Sequence, residues 1–536
     1  MSKDAGERQC IAEQGRLDVI SEGNDRFCGS EGRKRVNRKQ KLFLNSGTGL
    51  LKQLTVVICG FILPRYMLLY YGSDVNGLVS SIAHFLGFIS LLELGIGPVI
   101  QANLYKPLAE KNDEQISRII ISSERFFRRI AVIFVAYIAV LAAVFPVFVN
   151  TKYDAVFTAS LIVIIATSTL AEYFFGATYQ LLLNADQKSY VQTSLQIIAT
   201  ILNTVCCIVI MHIGAPVHIV KLVSSLIFVL RPVGQAIYVH KHYHLNKKLV
   251  LTEEPIKQKW NGFAQHLAAV ICGNADVVIL TIFSTLANVS VYSVYYNVTN
   301  GVTMLIMTAT TGLEAYFGNM MAKGERKNLE RAFSRTEWLI HFVVTVVFTV
   351  AAVTVVPFVS VYTRGINDAD YIVPLFGITL MLAYASRCLR VPYFIAVKAA
   401  GHFRETQNGA FISTALNVVI SIALVFRFGL VGIALGTLVA MLYHTVYFVL
   451  YLRGHILNRP LRHFAKHFAA DLLIFGLSFL ATKSFALAQA DYLSWVVLAV
   501  KVGIITLCIA AVVSVAFDFK TVMNRLRGKS AADNRD

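Results

Sequence analysis

The sequence predicts an all-α integral membrane protein of about fourteen spanning helices, arranged as two six-helix parallel repeats followed by two further helices. Three observations carry this reading. Residues of the hydrophobic class make up 56% of the chain and charged residues only 15%, where a soluble domain carries about 25% charged residues. Apolar runs of about 20 residues, the length that crosses a bilayer as a helix, recur from end to end. The loops between them are alternately basic and nearly uncharged, the pattern of a chain threaded back and forth through a membrane. The mean hydropathy of +0.61 agrees.

Residues 1–44 stand apart. They are polar and end in the basic cluster Arg33-Lys34-Arg35-Val36-Asn37-Arg38-Lys39-Gln40-Lys41. No apolar segment of the secretory type follows the start. The segment reads as a disordered cytoplasmic tail whose cations suit anionic lipid, and its charge pattern also admits a protein partner.

Apolar runs follow at 48–71, 78–104, 128–150, 155–182, 190–213, 217–240, 262–285, 289–318, 336–361, 371–397, 409–427, 430–452, 467–487 and 493–517. The loop after the second run holds Lys106, Lys111, Arg118, Arg125, Arg128 and Arg129. The loop after the sixth holds Lys241, Lys247, Lys248, Lys257 and Lys259. The eighth is followed by Lys323, Arg326, Lys327, Arg331 and Arg335, and the twelfth by Arg453, Arg459, Arg462 and Lys466. The opposite loops offer little beyond Lys152, Arg364, Arg427 and Lys483. One missed or surplus helix would invert this alternation partway along, and it never inverts. An even number of passes with both termini cytoplasmic follows. The net charge of +18 is a consequence of this topology, and nucleic acid is not an expected partner. Of the eight cysteines, six lie inside apolar runs and none has metal-ligand spacing, so they read as small apolar residues outside any disulfide framework.

The halves resemble each other. Val56-Val57-Ile58-Cys59-Gly60 matches Ala269-Val270-Ile271-Cys272-Gly273, Ala109 falls on Ala322, Arg118 on Arg331 and Glu124 on Glu337. Phe145-Pro146 matches Val356-Pro357, Tyr179 falls on Tyr393, and Leu202-Asn203 on Leu416-Asn417. Helices one to six therefore repeat as seven to twelve. Because six is even, both halves enter the membrane in the same direction and are related by an axis along its normal, as in transporters with parallel repeats. The expected organisation is an N-terminal lobe at 45–245, a linker at 246–260, a C-terminal lobe at 261–455, an added two-helix segment at 456–518 and a cytoplasmic tail at 519–536.

Ionisable groups inside the runs cost about 2.5–3.5 kcal/mol each at the bilayer centre on insertion scales, so each must face water, a partner or a substrate. Arg65, Glu93, Glu172, Asp276, Glu314, Arg387 and Arg390 are such groups. Arg65 follows Pro64, which is expected to loosen its helix. It is suited either to a phosphate or to the membrane interface. The pseudo-twofold brings Asp276 near Arg65, as a gate, a proton site or a structural pair. Arg387 and Arg390 share a helix face, positioned either to hold an anion or to anchor the helix. His84 and His266 are candidate polar lining or structural histidines. No phosphate-binding loop, metalloprotease motif or nucleophile elbow occurs, so neither an enzyme nor a cofactor is expected.

Four stretches resemble the polysaccharide (Wzx-type) flippases of the multidrug/oligosaccharidyl-lipid/polysaccharide exporter superfamily. They are Gly77-Leu78-Val79-Ser80-Ser81-Ile82 with Leu92-Glu93-Leu94-Gly95-Ile96-Gly97; Leu104-Tyr105-Lys106-Pro107-Leu108-Ala109-Glu110 with Ile116-Ser117-Arg118-Ile119; Leu182-Leu183-Asn184-Ala185-Asp186-Gln187-Lys188-Ser189-Tyr190; and Arg390-Val391-Pro392 with Ala400-Gly401-His402-Phe403-Arg404-Glu405-Thr406-Gln407, Asn417 and Gly429-Leu430-Val431-Gly432-Ile433-Ala434-Leu435-Gly436-Thr437. Arg404 stands where that family carries Lys, a conservative departure. The resemblance covers residues 45–455.

The resemblance implies a flippase that carries an undecaprenyl-diphosphate-linked oligosaccharide from the inner to the outer leaflet of the bacterial cytoplasmic membrane for cell-surface polysaccharide export. It implies Arg65, Arg387, Arg390, Asp276, His84 and His266 as substrate-binding candidates. A proton or sodium gradient would supply the energy, with Glu93, Glu172, Asp276 or Glu314 as carriers. Membrane lipids, a polysaccharide polymerase and glycosyltransferases are the partners it implies. A lipid II-type flippase and a cation-coupled multidrug antiporter of the same superfamily are the alternatives, and a non-transporting assembly partner for glycosyltransferases is a third. The antiporter would favour carboxylates and aromatics over several arginines.

Overall fold

The computed structural model describes residues 38–93, 95–149, 152–249 and 263–526. The expected tail up to residue 37, the linker from 250 and the chain beyond 526 lie outside the described residues. No strand occurs among the described residues. The helices in order are α1 (Arg38–Gly87), a 3-10 turn (Phe88–Glu93), α2 (Ile96–Glu110), α3 (Asp113–Phe148), α4 (Ala155–Ala171), a π turn (Glu172–Gly176), α5 (Ala177–Ala185), α6 (Ser189–His212) and α7 (Val217–His242). The second half continues with α8 (Phe263–Phe283), α9 (Leu286–Ala309), α10 (Leu313–Ala322), α11 (Arg326–Tyr362), α12 (Pro374–Leu389), α13 (Val391–Ala399) and α14 (Gln407–His455). It ends with α15 (Arg462–Thr482) and α16 (Tyr492–Leu526).

Among the described residues, eleven helices are long and apolar enough to cross a membrane. Two of them, α1 with 50 residues and α14 with 49, are each long enough for two passes. A straight helix of that length would run about 75 Å, more than twice the apolar thickness of a bilayer. Glycine supplies both breaks. Gly72 (φ 78°, ψ 178°) and Gly429 (φ 53°, ψ −126°) leave the helical region for conformations that residues with a side chain rarely enter. After Gly429 the chain packs tightly on itself. A Cβ at Gly432 would lie 2.5 Å from the Leu424 carbonyl oxygen, and one at Gly436 would strike the Ser421 hydroxyl. Small residues are what permit such close backbone approach inside a membrane. The 24-residue α9 is interrupted by asparagine, serine and threonine. With it, the described helices account for the fourteen runs of the sequence, and the chain is a multi-pass membrane protein.

Four runs differ in detail, and one of them, at 155–182, is divided among α4, the π turn and α5. The run at 78–104 is divided among the end of α1, the 3-10 turn and α2; the run at 289–318 among α9 and α10; and the run at 371–397 among α12 and α13, with Arg390 at the junction. Backbone angles stay helical at Pro64, and the non-helical break in α1 lies at Gly72.

Buried side chains form two large clusters, one from Leu78 to Val239 with Leu286, the other from Ala275 to Leu457 with Leu68. Outward, α3 exposes Val132, Ile133, Val135, Val140, Val144 and Val147, a surface suited to lipid chains. The last two helices seat on α11 through Val346, Ile474, Ala510 and Val513.

The repeat reappears as matching contacts. The Tyr179 hydroxyl donates to Glu124 at 2.9 Å, and Lys247 Nζ lies 3.7 Å from the same carboxylate. The Tyr393 hydroxyl donates to Glu337 at 2.5 Å, and Arg459 pairs with it at 2.5 Å. Glu172 and Arg231 form an ion pair at 2.6 Å, while Ser386 and Thr445, at the same spacing of 59 residues, share a hydrogen bond of 3.2 Å.

Candidate translocation pathway

A continuous polar seam joins the two halves. Residues 73, 76, 77, 80, 84 and 87 recur every three or four positions, so they share one face of α1. At its Gly72 end, the Ser73 amide donates to Asp368 Oδ2 at 2.6 Å and the Ser73 hydroxyl to Oδ1 at 2.6 Å. The free N–H groups of the helix restarting there favour a carboxylate. Asn76 reaches Ser290 at 2.7 Å, Ser80 reaches Ser293 at 2.8 Å and Ser81 reaches Thr281 at 2.7 Å. Gly77 lies directly against the Leu286 carbonyl, closer than any side chain would allow. Farther along, His84 Nδ1 meets Asn274 Oδ1 at 3.0 Å and His266 Nε2 meets the Ser90 carbonyl at 2.8 Å. Both candidate histidines are thus seam residues.

Beside this seam lie the two arginines of α12 and its C-terminal cap. The Arg387 guanidinium sits 5.7 Å from the Tyr384 ring centre. Tyr384 packs on Tyr296 at 6.0 Å, and Tyr296 on His84 at 6.5 Å. Arg390 approaches Met441 Sδ at 4.0 Å and lies within electrostatic reach of Arg387, Cys272 and His444. Among the described residues no carboxylate forms an ion pair with either arginine. Two like charges in a mostly apolar setting attract an anion. Guanidinium groups match a phosphate through parallel hydrogen bonds.

The expected Arg65–Asp276 pair is not formed. Arg65 donates to the Arg364 carbonyl at 3.1 Å and lies 5.8 Å from the Tyr362 ring. Asp276 instead accepts from Thr437 at 2.8 Å, Tyr292 at 2.9 Å and Asn417 at 3.2 Å. The reason is rotational: Asp276 faces α14 and α9 inside its own half, away from α1. The Asn417 Oδ1 atom is buried without a hydrogen-bond partner beside this carboxylate.

Glu93 and Glu172 meet in the N-terminal half, where they line a cavity of about 470 Å³ together with Tyr173, Gln180, Gln196 and Arg231. Glu93 accepts from the Tyr173 hydroxyl at 2.7 Å and Glu172 pairs with Arg231. Arg231 also donates to Gln196. The π turn at Glu172–Gly176 shapes this wall; such turns widen a helix by one residue and concentrate at functional sites. A Cβ at Gly176 would lie 2.7 Å from Pro232 and 2.9 Å from the Glu172 carboxylate, so glycine is what lets α7 approach. Glu314 lies elsewhere, paired with Lys398 at 2.8 Å.

Arg231 was absent from the sequence-level candidates, although it is a cation in the middle of the 217–240 run, and that signal was available. A second network also went unread. His341 pairs with Asp471 at 2.6 Å, Thr345 donates to the same carboxylate at 2.6 Å, and Glu337 with Arg459 lies beside them. Its members are dispersed over α11, α13, α15 and the loop before α15, which no local pattern reveals. The six described cysteines are all free, as expected.

No family model matches the chain, and no curated protein matches it by sequence. Solved structures do resemble it. A structure of the lipid II flippase MurJ in an inward closed conformation has a TM-score of 0.65 at 13% identity, covering 90% of this chain and 100% of that one. An inward-facing multidrug resistance MATE family transporter of the MOP superfamily has a TM-score of 0.56 at 14% identity, covering 76% and 98%. A point mutant of the Vibrio cholerae MATE transporter VcmN also reaches 0.56, at 11% identity, covering 78% and 97%. The chain has the fold these flippase and transporter structures share.

Proposed function

We propose that this protein is a flippase for a lipid-linked oligosaccharide carrying a diphosphate, working by alternating access between its two halves. The observation that carries the reading is the pair Arg387 and Arg390, without a carboxylate partner among the described residues and bordered by Tyr296, Tyr384 and His84 at the seam. The cations would hold the diphosphate while the lipid tail stays in the bilayer. Arg65, on the same seam, would hold the Gly72 end closed through the Arg364 carbonyl. His84 and His266 would lock the seam between transport events.

An ion gradient would drive the cycle. Asp276 is the leading carrier, because its buried carboxylate is held only by neutral donors, the Asn417 amide nitrogen and the Thr437 and Tyr292 hydroxyls, and a carboxylate in such a place can take up a proton or a hard cation such as sodium. Glu93 and Glu172 are the corresponding candidates in the first half. Glu314, held by Lys398, is the weaker one. The location would be the bacterial cytoplasmic membrane with both termini inside, and residues 45–245 and 261–455 would act as the two lobes. Membrane lipids, a polymerase and glycosyltransferases of cell-surface polysaccharide synthesis would be its partners.

A lipid II-type substrate is the second reading. The flippase likeness covers 90% of the chain, while the MATE likenesses cover 76% and 78%.

The test is reconstitution into vesicles. A fluorescent undecaprenyl-diphosphate-linked oligosaccharide, lipid II and tetraphenylphosphonium are offered separately. Leaflet transfer of either lipid above that of empty vesicles supports the proposal and chooses between its forms. Gradient-driven export of tetraphenylphosphonium with no lipid transfer overturns it.

A further inference from the structure

We propose that the N-terminal half contains a glycan-binding subsite, an amide-lined chamber centred on Gln235 that takes an uncharged sugar of the headgroup. This rests on the flippase reading and adds to it a second site, separate from the cations of α12.

The chamber has two connected parts. The cavity of about 470 Å³ beside Glu93 and Glu172 adjoins another of about 290 Å³ lined by Lys52, Gln53, Gln192, Gln196, Arg231 and Gln235. Gln180, Gln196 and Arg231 line both. Together they fall within the range of small-molecule pockets, about 300–1,000 Å³. The sequence sets the lining in register. Gln192 and Gln196 are four apart on α6, and Arg231 and Gln235 are four apart on α7, so each helix turns two polar side chains to the same side. The helices approach closely because Gly234 faces Leu195, where a Cβ would come within 3.0 Å of the leucine methyl.

The chamber contains unmet hydrogen-bonding capacity. Gln235 is 0% exposed, and both its amide oxygen and its amide nitrogen are buried without a partner. The Gln192 Oε1 and Arg231 Nε atoms are also buried and unpartnered. Buried polar groups are nearly always satisfied, so several orphans around one cavity point to a ligand that both donates and accepts. Sugar hydroxyls do both. Side-chain amides offer a donor and an acceptor without net charge, and Phe127, Tyr173 and Phe228 supply apolar faces for a pyranose ring. Because the carboxylates Glu93 and Glu172 offset the cations Arg231 and Lys52 in the lining, this chamber is a poor phosphate site. Glycan and diphosphate would thus be read in different halves.

The test uses the full chain in detergent with three probes: undecaprenyl diphosphate bearing a neutral disaccharide, bare undecaprenyl diphosphate, and the free disaccharide. Affinities and ligand-induced thermal shifts are compared for wild type, Gln235→Leu, Gln192→Leu and Arg390→Gln. The proposal expects both glutamine variants to weaken the glycosylated lipid about tenfold, to leave the bare lipid unchanged and to abolish the shift from free disaccharide. Arg390→Gln should weaken both lipids and spare the free sugar. Equal losses for both lipids in the glutamine variants, or no loss for either, overturns the subsite. Gln235→Leu removes an unpartnered amide and should fold normally, and a misfolded variant is recognised by a lowered unfolding temperature without ligand, with Gln192→Leu deciding in that case. If wild type binds free disaccharide through Gln235 but neither lipid, the subsite stands and the flippase reading fails. If wild type binds none of the three, both fail.

Discussion

The Tyr393 hydroxyl donates to Glu337 at 2.5 Å. Tyr179 does the same to Glu124 at 2.9 Å in the other half. Each carboxylate also has a cation, Arg459 in one case and Lys247 in the other. The two copies differ in burial: the Glu337 side chain is 1% exposed and Glu124 24%. The same construction therefore has different energetic weight in the two halves.

Arg459→Ala should be severely destabilising, by about 3–5 kcal/mol, because it leaves the buried Glu337 carboxylate without its main counter-ion. Lys247→Ala should cost no more than about 1 kcal/mol, since its side chain is half exposed and the Glu124 carboxylate keeps its bond from Tyr179. Thermal unfolding of the two variants in detergent checks this, and equal losses would contradict the asymmetry.

The Asp471 carboxylate holds His341 and Thr345, and so ties α15 to α11. Asp471→Ala leaves both groups unpaired, at about 1–3 kcal/mol each. The expected outcome is a lower unfolding temperature together with faster proteolysis in the 456–461 loop.

Gly72→Ala should cost about 1–3 kcal/mol from backbone conformation alone, and the added Cβ would lie 2.7 Å from Asp368. Paired cysteines at Ser73 and Asp368 should crosslink under mild oxidation. On the alternating-access proposal, oxidation halts lipid transfer and reduction restores it. Full transfer by the oxidised protein would show that this end of the seam never opens.

Asp491, in the loop before α16, accepts from the Ser494 amide at 2.8 Å and the Ser494 hydroxyl at 2.9 Å. These bonds hold its carboxyl below the usual carboxylate range. A depressed folded-state value contributes stability above the unfolded-state pKa of about 3.9 and loses it as pH falls through the folded-state value. The stability difference between wild type and Asp491→Asn should be present at neutral pH and fade below about pH 4.

Asp276→Asn should fold, because an amide retains most of the contacts with Thr437, Tyr292 and Asn417. On the proposed coupling, the variant loses the dependence of transfer on an imposed sodium or proton gradient. A dependence that persists unchanged moves the carrier to Glu93 or Glu172.

The passes were legible in the sequence because lipid demands long apolar runs, and so was the repeat, since Glu124 and Tyr179 align with Glu337 and Tyr393. Partners between helices were not legible. Periodicity tells which residues share a face but not which helix that face meets, so Asp276 was expected to meet Arg65 and instead met Asn417 and Thr437. Pro64 drew attention to its own position, while the backbone leaves the helical region at Gly72, where Asp368 caps the helix that restarts. Arg231 was visible as a charge, yet its meaning depended on Glu172, 59 residues away as Ser386 is from Thr445.

The central claim is that Arg387 and Arg390 hold the diphosphate of a lipid substrate during transfer. Its most direct measurement is the initial rate of leaflet transfer of undecaprenyl-diphosphate-linked oligosaccharide in vesicles, for wild type, Arg387→Gln/Arg390→Gln and Arg387→Lys/Arg390→Lys at matched insertion. The account predicts a loss of at least about a hundredfold in the glutamine variant, equivalent to about 1.4 kcal/mol for each power of ten. The lysine variant should recover part of that loss. Wild-type rates in the glutamine variant would contradict it.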